Sequence, residues 1–175
     1  MILRRGFLIG LGSNLNPQQN MTKIVSLLLQ HFDCFELSRV LHIPPVGMNS
    51  HHDFLNAVAF IETDLEQVQL KAICNQIETA LGRDRNDPQS KSKDRPADLD
   101  ILTPVYFPDD LSLPVQSITD EYFLYPLLQE LLAFLAQKPS PHIQAGEQLQ
   151  LDNLTFGQTA TTIHRDANTS KERVG

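Results

Sequence analysis

The chain has 175 residues, enough for one ordinary domain with a full core and no need of a metal or disulfide staple. Its composition, 41% hydrophobic and 20% charged, excludes a disordered chain, and no apolar run approaches the ~20 residues of a membrane-spanning helix. A net charge of −7 argues against a general nucleic-acid or anionic-membrane binder, which needs a basic footprint.

Ile2 to Leu11 reads as a first strand, closing on Gly12-Ser13-Asn14. Its apolar stretch is too short, and its sequel too polar, for a signal peptide, so the protein is expected in the cytoplasm. Asn16 can cap a helix, Pro17 suits its first position and Gln19 can complete a capping box. Met21, Ile24, Leu28 and Phe32 then recur at helical spacing. Cys34 to Ile43 predicts a second strand with Phe35, Leu37, Arg39 and Leu41 on one face, ended by Pro44 and Pro45. Phe54 to Ile61 is apolar almost throughout, as a central strand covered on both faces should be. Thr63-Asp-Leu-Glu66 reads as a capping box before a second helix with Leu70, Ile73, Cys74, Ile77, Ala80 and Leu81 inside, stopped by Gly82. Cys34 and Cys74 match no metal or redox spacing, and both read as buried free thiols.

Arg83 to Arg95 is a polar loop without periodicity. Leu99 to Tyr106 predicts a fourth strand, where Pro104 points to an edge or a bulge. Leu111 to Thr119 reads as irregular and partly extended, and Tyr125 to Ala136 as a third helix rich in inward leucines. The order predicts an α/β (α+β) ferredoxin-like sandwich: a mainly antiparallel sheet with helices packed on it. One domain is expected over residues 1–157, followed by a polar and mobile tail over 158–175.

The chemistry concentrates at Arg95-Pro-Ala-Asp-Leu-Asp-Ile-Leu102. Side chains alternate along a strand, so Asp98 and Asp100 share a side and repel unless cations intervene. Magnesium takes hard oxygen ligands and completes its shell with water and phosphate, which makes this pair a seat for one or two ions beneath a polyphosphate. Alone, an Asp-x-Asp is more often a solvated strand end. The preceding loop weighs against that: it carries five cations, Arg83, Arg85, Lys91, Lys93 and Arg95, against Asp84, Asp87 and Asp94. It is the clearly basic segment of an acidic chain and leads directly into the carboxylates. Metal seat plus guanidinium cluster is what phosphoryl transfer needs. Gly12-Ser13-Asn14 matches neither common phosphate-loop pattern. Adjacent His51 and His52 point apart on an extended segment and are not expected to share a metal.

Ile9-Gly-Leu-Gly-Ser-Asn-Leu15, Pro44-Pro-Val-Gly47, Asp53-Phe-Leu-Asn-Ala-Val58, Ile77-Glu-Thr-Ala-Leu-Gly-Arg83 and Arg95-x-x-Asp-Leu-Asp-Ile-Leu102 occur together in one order. In this the chain resembles the 6-hydroxymethyl-7,8-dihydropterin pyrophosphokinases of folate biosynthesis, over residues 7 to about 135. The resemblance implies the same ferredoxin-like fold and transfer of diphosphate from ATP to the pterin hydroxymethyl group, releasing AMP. It assigns Asp98 and Asp100 to Mg2+, two ions being expected with ATP as co-substrate. It assigns Arg83 and Arg95 to catalysis, and Glu78, Arg83, Arg85 and Ile101 to the nucleotide. Pro45, Val46, Phe54, Asn56 and Phe123 fall to the pterin. A flat pterin suits two π faces and an in-plane amide. ATP and a pterin are thus the expected partners, with no nucleic acid and no membrane, for a monomer or weak dimer.

The chain departs from the family pattern mainly on the nucleotide side. The family's Trp-x-Pro-Arg approach to the aspartates is Lys93-Asp94-Arg95, and the chain has no Trp. Val115 stands for a His, the segment Thr119-Asp-Glu-Tyr-Phe123 lacks an expected Arg, and Ile43 takes a position that is often Thr. Two other readings follow: a diverged pterin- or nucleotide-binding paralogue with little or no transferase activity, or another two-metal nucleotidyl transferase on the same fold.

Overall fold

A computed structural model of the chain describes residues 2–48, 50–84, 86–89, 93–142, 144–166 and 171–174, the last four and residue 166 by their backbone alone. The strands are β1 (Arg4–Ser13), β2 (Cys34–Leu37), β3 (Leu41–Ile43), β4 (Phe54–Glu62), β5 (Asp98–Phe107), β6 (Leu149–Leu151), β7 (Leu154–Phe156), β8 (Thr161–Asp166) and β9 (Lys171–Val174). The helices are α1 (Pro17–His31), α2 (Gln67–Ala80) and α3 (Tyr125–Leu135). The main sheet runs β5-β1-β4-β2-β8-β9, with β3 also on β4, and β6 and β7 form a separate hairpin. The pairings of β1 with β4 and β5, and of β2 with β4, are antiparallel. Strands β1, β2, β4 and β5 with helices α1 and α2 make two interleaved β-α-β units, the expected ferredoxin-like sandwich.

Burial follows from strand alternation. Phe7, Ile9 and Leu11 of β1 join Leu55, Ala57 and Ile61 of β4 under the apolar stripes of α1 and α2. Leu8, Val58 and Phe60 face the other way, into a second cluster closed by Leu127, Leu128 and Leu131 of α3. β4 is buried from Phe54 through Ile61, as a strand paired on both edges and covered on both faces must be. Gly82, at φ +98°, stops α2 in the left-handed region.

Several local expectations are corrected. Asn16 does precede α1, but in a left-handed conformation (φ 43°), and its side chain makes no cap bond; the Asn20 amide instead donates to Leu15 O. The capping box at α2 lies three residues later than expected, with Gln69 Oε1 accepting from the Glu66 N–H at 2.8 Å. The second strand is broken at Ser38–Val40. Ser38 pairs with Val58 through both its N–H and its hydroxyl, while Val40 turns to bond Gly157 and Glu147. The break shifts the alternation, so Phe35 and Leu37 face the first cluster and Leu41 and Ile43 the second. Cys34 is exposed at the outer end of β2, while Cys74 is buried. Asp109–Ser112 and Val115–Ser117 form short 3-10 turns rather than extended chain.

The expected tail also differs. Thr161–Asp166 adds a strand to β2, with Ile163 opposite Phe35 and wholly buried. The free edge of β2 supplies the backbone partners that this polar segment needs, and one apolar side chain anchors it.

At the other edge, β5 pairs with β1 alone on the path of the sheet, which accommodates Pro104. Its register slips between Leu8↔Thr103 and Ile9↔Ile101, leaving Leu102 as an extra residue. This is a β-bulge. Before it, Leu99 and Ile101 face the first cluster; beyond it, Val105 and Phe107 face the second.

Candidate active site

A cavity of about 360 Å³ opens at the end of the sheet where β1, β4 and β5 meet. Gly10 and Gly12 of β1 lie opposite Asp100 and Asp98, on the cavity-facing side. A Cβ on Gly12 would stand 2.8 Å from Asn56 Oδ1 and 3.5 Å from the Phe54 ring, so glycine is what leaves room for both. Phe54 and Asn56 come from β4, Val46 and Met48 from the segment after β3, and Tyr122, Phe123 and Leu124 from the turn before α3. Phe54 and Asn56 thus line the β4 side of the space. Asp98 and Asp100 line it from β5, with Arg95 just before that strand.

Two guanidinium groups converge on Asp98. Arg83 Nη1 donates to its Oδ1 at 2.8 Å, and Arg95 Nη1 to its Oδ2 at 2.9 Å. Arg83 is itself buried and bonded to Glu78 Oε2 at 3.1 Å and to Ala97 O at 3.3 Å. A third carboxylate, Glu121, stands close enough to feel this pair. Burial first, then the charges of Asp100 and Asp98, push its carboxyl above the usual range, with Arg95 opposing.

The structure brings together Asp98, Asp100, Arg95, Val46, Phe54, Asn56 and Phe123 around one space. Arg83 joins them through Asp98. Three residues expected at the site are elsewhere. Glu78 is fully buried and accepts from the Leu99 N–H at 2.8 Å, so it fastens α2 to β5 and does not line the cavity. Ile101 packs on the first cluster, one pleat out of phase with the aspartates. Pro45 does not line the cavity; its neighbours Pro44 and Val46 do. Arg85 lies outside the described residues.

The profile of the 7,8-dihydro-6-hydroxymethylpterin-pyrophosphokinase family matches residues 8–133. The chain belongs to this family. It is 30% identical over 142 residues to a 2-amino-4-hydroxy-6-hydroxymethyldihydropteridine pyrophosphokinase of Porphyromonas gingivalis, covering 77% of this chain and 97% of the relative. A Bacillus subtilis protein of the same name is 36% identical over 97 residues, 54% of this chain and 56% of its own. In a pyrophosphokinase, the charge pattern at β5 acquires a reason.

The carboxylates suit magnesium. Asp98, Asp100 and Glu121 gather hard carboxylate oxygens beside one cavity, although Arg83 and Arg95 already pair with Asp98. Among the described residues, however, no three His, Cys, Asp or Glu side chains converge tightly enough to hold a metal alone. Phosphate and water oxygens would have to complete the shell, as is usual for Mg2+. Sequence reasoning missed Gly12 and Glu121 as parts of the site. The glycine could have been found from the strand register, since it lies beside both Asn56 and Asp98. It also passed over Asn14, Ser50, His52 and Asp94, whose side chains meet only in three dimensions.

Proposed function

We propose that the protein transfers the terminal diphosphate of ATP to the hydroxymethyl group of 6-hydroxymethyl-7,8-dihydropterin, releasing AMP. The observation that carries this reading is the adjacency, within one cavity, of an aromatic and amide slot to a carboxylate and guanidinium seat. Phe54 and Phe123 would hold the pterin faces and Asn56 its edge, with Val46 alongside. The pterin oxygen forms a bond to the β-phosphorus of ATP, the bridging bond to the α-phosphate breaks, AMP leaves and the alcohol proton passes to solvent. Such a displacement needs alignment and charge neutralisation more than a strong base. Mg2+, two ions in this proposal, would supply that neutralisation when held at Asp98 and Asp100 with the phosphates. Arg95 would turn from Asp98 to the transferring group, and Arg83 would steady the seat from behind.

Incubation with ATP, Mg2+ and the hydroxymethyl dihydropterin should yield AMP in step with pterin diphosphate. Pterin binding without AMP would favour the non-catalytic reading, to which the Glu121 carboxylate at the phosphate end lends support. Release of pyrophosphate would indicate nucleotidyl transfer instead.

A further inference from the structure

Beside the cavity, Asp94 joins three parts of the chain that the sequence keeps far apart. Its Oδ2 lies 2.5 Å from His52 Nδ1, and its Oδ1 accepts from Asn14 Nδ2 at 2.9 Å and from the Ser50 hydroxyl. His52 and Ser50 belong to the segment between β3 and β4; Asp94 belongs to the segment between α2 and β5. Asn14, almost fully buried, passes the connection on: its Oδ1 accepts from the Arg95 N–H at 2.6 Å and its own N–H donates to Arg95 O at 3.0 Å. The Arg95 backbone is therefore fixed on both sides, one residue from Asp94, while its guanidinium reaches Asp98. The three donors, the Ser50 hydroxyl foremost, hold the Asp94 carboxyl below the usual carboxylate range, so it stays an acceptor at neutral pH.

We propose that His52 and Asp94 form a clasp between the two segments that wall the cavity, and that through Asn14 this clasp sets the position of Arg95. Both are positioning residues, since neither lines the cavity that holds Asp98, Asp100 and Phe54 on the described residues. The local sequence is polar: Lys93-Asp94-Arg95 offers no apolar side chain, so a carboxylate and an imidazole join the segments. An Asp–His pair suits that place because it bonds through directed hydrogen bonds at a half-exposed rim, where an apolar plug would gain little burial.

The test is a double-mutant cycle on His52→Ala and Asp94→Asn, with His52→Asn as the conservative variant. An asparagine amide can place an N–H near the position of Nδ1. The readout independent of activity is hydrogen-exchange protection of the Arg95 amide. Each single variant should lower that protection about fivefold, the double variant no further, and His52→Asn should restore it. The kinetic arm rests on the transfer reading: kcat should fall by a similar factor while pterin affinity stays within about twofold. Unchanged protection in both single variants, effects that multiply in the double, or a His52→Asn variant as unprotected as His52→Ala would each overturn the clasp. If the wild-type protein makes no AMP, the transfer reading falls, and the protection cycle still decides the clasp.

Discussion

Gly12 and Asn56 are register partners on β1 and β4, and a Cβ on Gly12 would stand 2.8 Å from the Asn56 side-chain oxygen. The glycine thus sets how far the amide can reach into the cavity. Gly12→Ala should push the amide aside and weaken binding of a pterin analogue by about tenfold, the worth of roughly one hydrogen bond with its partner left unmade. Fluorescence titration checks this, and a thermal melt close to wild type shows that the fold is kept. Unchanged pterin affinity would remove Asn56 from the pterin site.

Arg95 contacts Asp98 of β5, whereas Phe54 and Asn56 line the cavity from β4. Arg95→Ala should therefore lower single-turnover transfer by about a hundredfold or more, the usual scale for losing a charge-stabilising donor. Pterin affinity should change little. Asp100→Ala should abolish transfer across a magnesium titration with the fold intact. Wild-type turnover in the Asp100 variant would remove the metal assignment.

Glu78, assigned to the nucleotide by resemblance, ties α2 to β5 in the structure. Its carboxylate, fully buried, is bonded to the Leu99 N–H and to Arg83. Glu78→Ala would leave the buried Arg83 with less compensation and the Leu99 donor unsatisfied, costing about 3–5 kcal/mol of stability. Chemical denaturation measures that loss. A variant as stable as wild type but with raised KM for ATP would return Glu78 to the nucleotide.

Glu121 gives a pH prediction with a definite sign. Its carboxyl is raised in the folded protein, by burial and by Asp100 and Asp98. Its contribution to stability is full below the ordinary glutamate pKa of about 4.3 and is lost as pH rises through the raised folded value. Glu121→Gln should melt higher than wild type near neutral pH and alike near pH 4. Melting curves over that range decide it; parallel curves would mean that Glu121 does not feel the aspartates.

Ile163 should test the added strand. It is wholly buried opposite Phe35. Ile163→Ala should cost about 2–5 kcal/mol, as a large-to-small change in a core does, where a residue in a loose tail would cost nothing measurable.

These cases also mark what could be read from the sequence. The main strands and helices were legible because hydrophobic periodicity is local: the apolar run of β4 and the stripe of α2 need no knowledge of their neighbours. The Asp98 and Asp100 pair was legible because strand geometry alone puts them on one side. Glu78, Ile101 and Pro45 stand outside the cavity lining because a motif assigns a residue to a site without saying which way its side chain points. Ile163 was missed because its burial depends on the open edge of β2, more than a hundred residues earlier. The clasp residues were illegible for the same reason: Asn14, His52 and Asp94 each look like loop polarity until the chain brings them together.

The extra residue at Leu102 makes β5 a strand with two independent halves. A sheet normally ties every side chain to the phase of the next, so that one slip exposes a whole core face. Here the phase is reset in the middle of the strand. The half carrying Asp98 and Asp100 can keep its orientation toward the cavity while Val105 and Phe107 answer only to the packing under α3. Pairing Leu102 into a regular ladder would force a choice, turning either the acids or the two apolar residues to the wrong side. Substitutions beyond the bulge can therefore retune the lower core without disturbing the chemistry above it, which leaves the reactive end of the strand free to diverge on its own.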